Sequence, residues 1–150
     1  MGKIDKRFLE GGDVGGEWIT AAQLAAAIAT GQFAERTMPD EKWRNVCWSP
    51  ELGLFCAVGG NKAATSPDGV TWTEHPMPEG KWRGVCWSLE LHLFCAVGDN
   101  KAATSPDGAT WTERAIPSGN KHSVGWSRKL RIFCAVGDDG KAATSTPLFL

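Results

Sequence analysis

Residues 66–72 read Ser-Pro-Asp-Gly-Val-Thr-Trp, and 39 positions later residues 105–111 read Ser-Pro-Asp-Gly-Ala-Thr-Trp. A serine and an aspartate on either side of proline, followed by glycine, have the chemistry of a tight turn. The two polar side chains can bond backbone N–H groups, glycine takes the strained position, and tryptophan covers the hairpin from the next strand. Ser66, Asp68, Gly69 and Trp72, matched by Ser105, Asp107, Gly108 and Trp111, are therefore read as structural.

The same spacing holds outward from the turns. Trp48, Trp87 and Trp126 recur at it, as do Phe55, Phe94 and Phe133, inside VCWSPELGLFCAVG, VCWSLELHLFCAVG and VGWSRKLRIFCAVG. One extra residue enters the third copy in the turn at Asp138-Asp139-Gly140. Self-similarity at this period marks a repeat architecture. Each copy divides into four strand-like runs, which in the first are residues 43–49, 54–59, 62–66 and 71–77. Turn residues separate them. The runs are apolar on both faces, as expected of a sheet sandwiched between sheets. Four antiparallel strands in about forty residues is the size of a propeller blade. The expected fold is all-β, with three propeller-type four-stranded blades per chain; a three-sheet β-prism-like monomer is the alternative.

The pattern W-x-x-V-x-W-S…F-x-A-V-G…A-T-S-P-D-G-x-T-W extends over residues 33–145, about three quarters of the chain. It resembles the Asp-box, or BNR, repeats of sialidase-like propellers, in a variant with Asp and Gly adjacent. It is also similar to propeller repeats of bacteriophage fibre and other virion proteins and of some bacterial surface proteins. The resemblance implies architectural turns lying away from the binding surface. It further implies a virion structural component, such as a fibre, tail or capsid-decoration protein made in the host cytoplasm; a bacterial cytoplasmic or surface location is the alternative. Sialidases use a tyrosine nucleophile and an arginine cluster, whereas this chain has no tyrosine, and Arg114-Ala-Ile-Pro117 only partly echoes their Phe/Tyr-Arg-Ile-Pro segment. A non-enzymatic role is expected.

The two ends of the repeat region complement each other. Stepping back 39 residues from Trp72-Thr-Glu-His-Pro-Met-Pro78 gives Phe33-Ala-Glu-Arg-Thr-Met-Pro39, an orphan fourth strand before the first copy. In the third copy Ser145 is followed by Thr146-Pro-Leu-Phe-Leu150 in place of the Pro-Asp-Gly turn. A lone strand at one end and a missing one at the other is how propellers close and remove exposed sheet edges. Three blades fall below the usual four to eight, so a homo-oligomer is expected, a dimer first and a trimer next.

Residues 1–32 form a separate N-terminal region. A glycine-rich run at 11–16 precedes one helix, with Thr20 and Gln23 as a capping box and Gly31 as a C-cap. Ile19, Leu24 and Ile28 make it a candidate docking helix, equally readable as a helix packed on the propeller. Residues 1–16 read as an extended arm, and in a virion protein such an arm would attach to other virion proteins. No secretory signal pattern is present at the N-terminus.

Sixteen basic and seventeen acidic residues give a net charge of −1, so no global field draws the chain to nucleic acid or an acidic membrane. No apolar run is long enough to span a bilayer. Cys47 and Cys86 share one repeat position, and Cys56, Cys95 and Cys134 another. Adjacent strands could bring Cys47 to Cys56 and Cys86 to Cys95, as disulfides or, in a reducing compartment, as buried thiols. No histidine lies at ligand spacing from a cysteine pair, so neither zinc nor any cofactor is expected. His75, His92 and His122 read as loop histidines. Glu35, Glu74 and Glu113 recur beside Arg36, His75 and Arg114, which suits a salt-bridged rim rather than converging catalytic carboxylates. The candidate ligand-facing residues are Trp43 and Trp82, with Arg44 and Arg83 beside them. Their indoles could stack on a host-surface glycan in a lectin-like or protein-binding module, or pack between blades. Lys121 replaces the third of them.

Overall fold

The computed structural model describes residues 3–5, 18–31 and 33–146. The chain divides into two compact units, Met1–Glu35 and Arg36–Leu150. In the first, β1 (Lys3–Asp5) pairs antiparallel with β2 (Trp18–Thr20), ahead of α1 (Ala21–Thr30). The capping box forms as its residues dictate: Gln23 N donates to Thr20 Oγ1 at 3.1 Å, and Thr20 N donates to Gln23 Oε1 at 2.7 Å. Two readings change. Part of the arm lies in a two-stranded ladder, and Gly31 leaves the helix in an extended conformation (φ −62°) rather than a left-handed one. Leu24 is half-buried; the glycine-rich run and the side chains of Ile19 and Ile28 lie outside the described residues. No helix among those residues is long and apolar enough to cross a membrane.

The second unit is three antiparallel sheets laid down in chain order. Sheet one runs β3 (Trp43–Ser49), β4 (Leu54–Gly59), β5 (Lys62–Ser66), β6 (Thr73–Pro76). Sheet two repeats it with β7 (Trp82–Ser88), β8 (Leu93–Gly98), β9 (Lys101–Ser105) and β10 (Thr112–Arg114). Sheet three has β11 (Lys121–Ser127), β12 (Ile132–Gly137) and β13 (Ala142–Thr144). In sheet one the first three strands lie where the pattern placed them. The fourth starts at Thr73, because Thr71 and Trp72 belong to the turn.

The turns take the form their residues require. Ser66 Oγ accepts Gly69 N at 2.8 Å, and Asp68 Oδ1 accepts Val70 N and Thr71 N, both at 2.8 Å. Gly69 sits at φ 73°, and Trp72 Nε1 closes the loop on its carbonyl at 3.2 Å. Ser105, Asp107, Gly108 (φ 78°) and Trp111 repeat these bonds at 2.8 to 3.0 Å. The N–H groups of Thr71 and Val70 hold the Asp68 carboxyl below its usual range. Burial pushes Asp107 the other way, but the bonds from Thr110 and Ala109 prevail and it too is lowered. Left-handed backbone also occurs at His92 and Arg131, where the first copy has Gly53, so two bulky residues occupy a turn position that glycine fills without strain.

The glycine ending each F-x-A-V-G run has another cause. A Cβ on Gly59, Gly98 or Gly137 would overlap the carbonyl oxygen of Lys42, Lys81 or Asn120, so the crossing of the first two strands admits no side chain.

Alternation along each strand sends one set of side chains to each neighbouring sheet. Between sheets one and two, Cys56, Val58 and Ala63 pack on Trp82, Val85, Phe94 and Ala96, with Met77, Trp87 and Trp111 at the margin. Between sheets two and three, Cys95, Val97 and Ala102 pack on Val124, Phe133 and Ala135. The indole N–H of Trp87 donates to Glu51 of the preceding sheet at 2.6 Å, and that of Trp126 to Glu90 at 2.5 Å. The outer faces remain open: Val46 and Trp48 on sheet one are 53% and 43% exposed, and Val136 on sheet three is 50% exposed. This overturns the prism alternative, since packing sheet one against sheet three would cover both faces.

Candidate functional site

At the start of each first strand the ladder with its neighbour slips by a residue, between Trp43 and Asn45, Trp82 and Gly84, and Lys121 and Ser123. A bulge releases its extra residue from the pairing and re-aims it. The released residues are Arg44, Arg83 and His122, so one end of the unit carries a nitrogen-bearing side chain from every sheet. Lys42, Arg44, Gly60, Lys81, Trp82 and Arg83 line a groove of about 230 Å³ there.

The three bulge residues are not equivalent. Arg83 holds Asp99 with two bonds, Nε to Oδ1 at 2.6 Å and Nη2 to Oδ2 at 3.1 Å. This bond to Asp99 raises the Arg83 guanidinium further above its usual value, and Arg83 in turn keeps the Asp99 carboxyl below its own range. His122 Nε2 meets Asp138, the matching residue of sheet three, at 2.8 Å. At that register sheet one has Gly60. Arg44 is exposed and lines the groove; Gly60 offers it no side chain at that register, and the carboxylate of Glu41 lies over Gly60 instead.

The two candidate indoles serve the fold. Trp82 borders the groove but is 1% exposed and donates its N–H to Pro78 O at 3.0 Å, which corrects its reading as a ligand-facing ring: the adjoining sheet leaves almost none of it open. Trp43 is half-buried and repeats the bond, to Pro39 O at 2.9 Å. The third position escaped sequence reasoning. Lys121 is 1% exposed, and Asp139 receives its ammonium at 2.7 Å. Asp139 lies in the turn where the third copy carries its extra residue, and this bond lowers its carboxyl below the usual range. An insertion beside a Trp-to-Lys exchange was the available signal.

The remaining candidates are structural. Cys47 lies opposite Cys56, and Cys86 opposite Cys95, but all five cysteines are free thiols. Burial pushes Cys47 and Cys95 up to about 12 and raises Cys56 and Cys86 as well. Cys134 is exposed on the open face of sheet three. Glu74 and Glu113 pair with Lys62 (2.6 Å) and Lys101 (3.6 Å) on the neighbouring strand, rather than with the adjacent His75 and Arg114. Those two bond the threonines at the equivalent register, Thr65 (2.8 Å) and Thr104 (2.9 Å).

No protein-family model matches the chain, and no curated protein sequence matches it. Among solved structures it is similar to selenomethionine-substituted virginiamycin B lyase from Staphylococcus aureus, with a TM-score of 0.58 and 12% identity over 89% of this chain. At that identity the likeness shows the fold. The sheets are propeller-type blades. The chain covers 48% of the lyase, about half its length, and the likeness speaks neither for nor against an enzymatic reaction here.

Proposed function

We propose that this chain is a non-enzymatic binding propeller whose groove takes an acidic glycan of a host surface, and that it is displayed on a virion through its N-terminal region. The observation that carries the ligand reading is Arg44, an exposed bulge arginine that lines the groove together with Lys42, Lys81 and Arg83 and whose register has Gly60 where Arg83 meets Asp99. Other polar groups that could compete as a catalytic set are engaged in the architecture, in the turns, in the indole bonds to Glu51 and Glu90, and in the Lys121–Asp139 pair. The virion assignment rests on the resemblance of the repeat to those of phage fibre and decoration proteins. The separate first unit, with its ladder and capped helix, is the attachment element in this reading.

A glycan array tests the ligand. Acidic glycans should be retained over their neutral counterparts, with retention falling as salt rises. Arg44→Ala should lower affinity about ten-fold, the loss of one charge-assisted contact. Equal binding by Arg44→Ala, or no retention of acidic glycans, sinks the reading. Detecting the chain in purified particles supports the display role; a glycan-binding chain absent from particles favours the free-standing lectin-like module.

A further inference from the structure

We propose that two copies of this chain close a six-sheet ring head to tail, the open face of sheet one in each docking on the open face of sheet three in the other. The occupant is a second copy because both faces repeat the halves of junctions the chain already makes internally. Val46 and Trp48 occupy the positions of Val85 and Trp87, which sheet one covers. Cys134 and Val136 occupy the positions of Cys95 and Val97, which sheet three covers. A face built to receive a sheet stands open at each end.

The turns carry the same message. A Cβ on Gly108 would meet Thr65 and Cys56 of the preceding sheet, whereas one on Gly69 would meet only Phe55 of its own sheet. In the ring, Gly69 of one copy lies over the second copy's equivalents of Thr65 and Cys56, namely Thr144 and Cys134. Residues 33–39 follow. Phe33 is fully exposed and holds the repeat position of Trp72 and Trp111. Between sheets two and three a cavity of about 130 Å³ is bordered by Phe133, Ala143 and Thr144. That is where, one junction earlier, the Gly108 turn and Trp111 sit against Phe94. Laid beside β13 as the missing fourth strand, residues 33–39 bring Phe33 to that cavity and Glu35 to Lys141, the counterparts of Glu74–Lys62 and Glu113–Lys101.

Blade arithmetic selects the number of copies. Two copies of three sheets give about six blades, inside the usual four to eight, whereas three copies exceed it. One contact is missing from the closing junctions. Lys129 stands where Glu51 and Glu90 receive an indole N–H, so Trp48 has no carboxylate there. The ring closes more weakly than its internal junctions hold.

Native mass spectrometry and light scattering of the full chain should give the mass of two copies, with Cys134 protected from a thiol reagent. Val46→Asp and Val136→Asp alter residues half-exposed in the single chain, so each should fold, run at one copy and expose Cys134. Mixed together they should recover the two-copy mass, because a mixed pair retains one unaltered junction; two variants that fail by misfolding would not. Phe33→Ser should weaken the pair, and Lys129→Glu should tighten it about five-fold, the worth of one hydrogen bond. A wild-type monomer with reactive Cys134 overturns the proposal. So does a pair that survives Phe33→Ser but is lost on Phe149→Ser, which would make residues 147–150 the occupant, or a pair that the mixed variants cannot restore.

Discussion

The junction between sheets one and two and the junction between sheets two and three are built from the same repeat, yet they are filled differently. In the first, the glycine turn and Trp111 of sheet two press against Thr65 and Phe94. In the second, the corresponding volume is a cavity beside Phe133. The difference teaches that the turn and indole ending a blade serve the preceding junction as much as their own hairpin. A blade without its fourth strand therefore leaves a gap in its neighbour's packing.

The largest test of that contrast lies in the phenylalanines. In the Val46→Asp background, which isolates the single chain, Phe94→Ala should cost about 3–5 kcal/mol in urea denaturation, the usual loss for a filled aromatic site. Phe133→Ala should cost clearly less, because its ring already borders a void and loses fewer contacts. Equal losses would break the comparison. A smaller effect separates the two turns. In the same single-chain background, Gly69→Ala should cost about 1 kcal/mol for forcing a side chain into left-handed backbone. Gly108→Ala should add about 1–3 kcal/mol of overpacking, since its Cβ would lie 2.7 Å from Thr65 Cγ2. Thr65→Ser, which removes that methyl, should restore much of the added loss in thermal melts.

The smallest effect is on acid stability. Asp68 and Asp107 are held below the usual carboxylate range in the folded chain, so their ionised forms stabilise it. That contribution is complete above the unfolded value of about 3.9 and fades as pH falls through the folded value. Replacing both by asparagine should flatten the loss of stability between neutral and acid pH. An unchanged slope would show that the turn carboxylates carry no such linkage.

Much of this was legible in the chain. Turn chemistry is local, so Ser66, Asp68 and Gly69 specified their own hydrogen bonds, and the first three strands of sheet one began and ended at the residues that punctuate them. The capping box of Thr20 and Gln23 was readable for the same reason. The site was less legible. Arg44 and Arg83 were singled out as neighbours of the indoles, but their value comes from a bulge that frees them from the ladder. The indoles themselves turned inward, because burying an aromatic ring outweighs leaving it for a ligand when a neighbouring sheet can cover it.

The sequence by itself determined the repeat, the strands, the turns and the offset between an orphan strand and a missing one, since each depends on residues close together in the chain or spaced by a fixed period. Only the tertiary structure decided which of three near-identical faces are covered, that a cavity marks the absent turn, and that Asp139 answers the buried Lys121. The physical reason is that burial and charge pairing are set by the neighbouring sheet, and the repeat is silent on whether a neighbour is present.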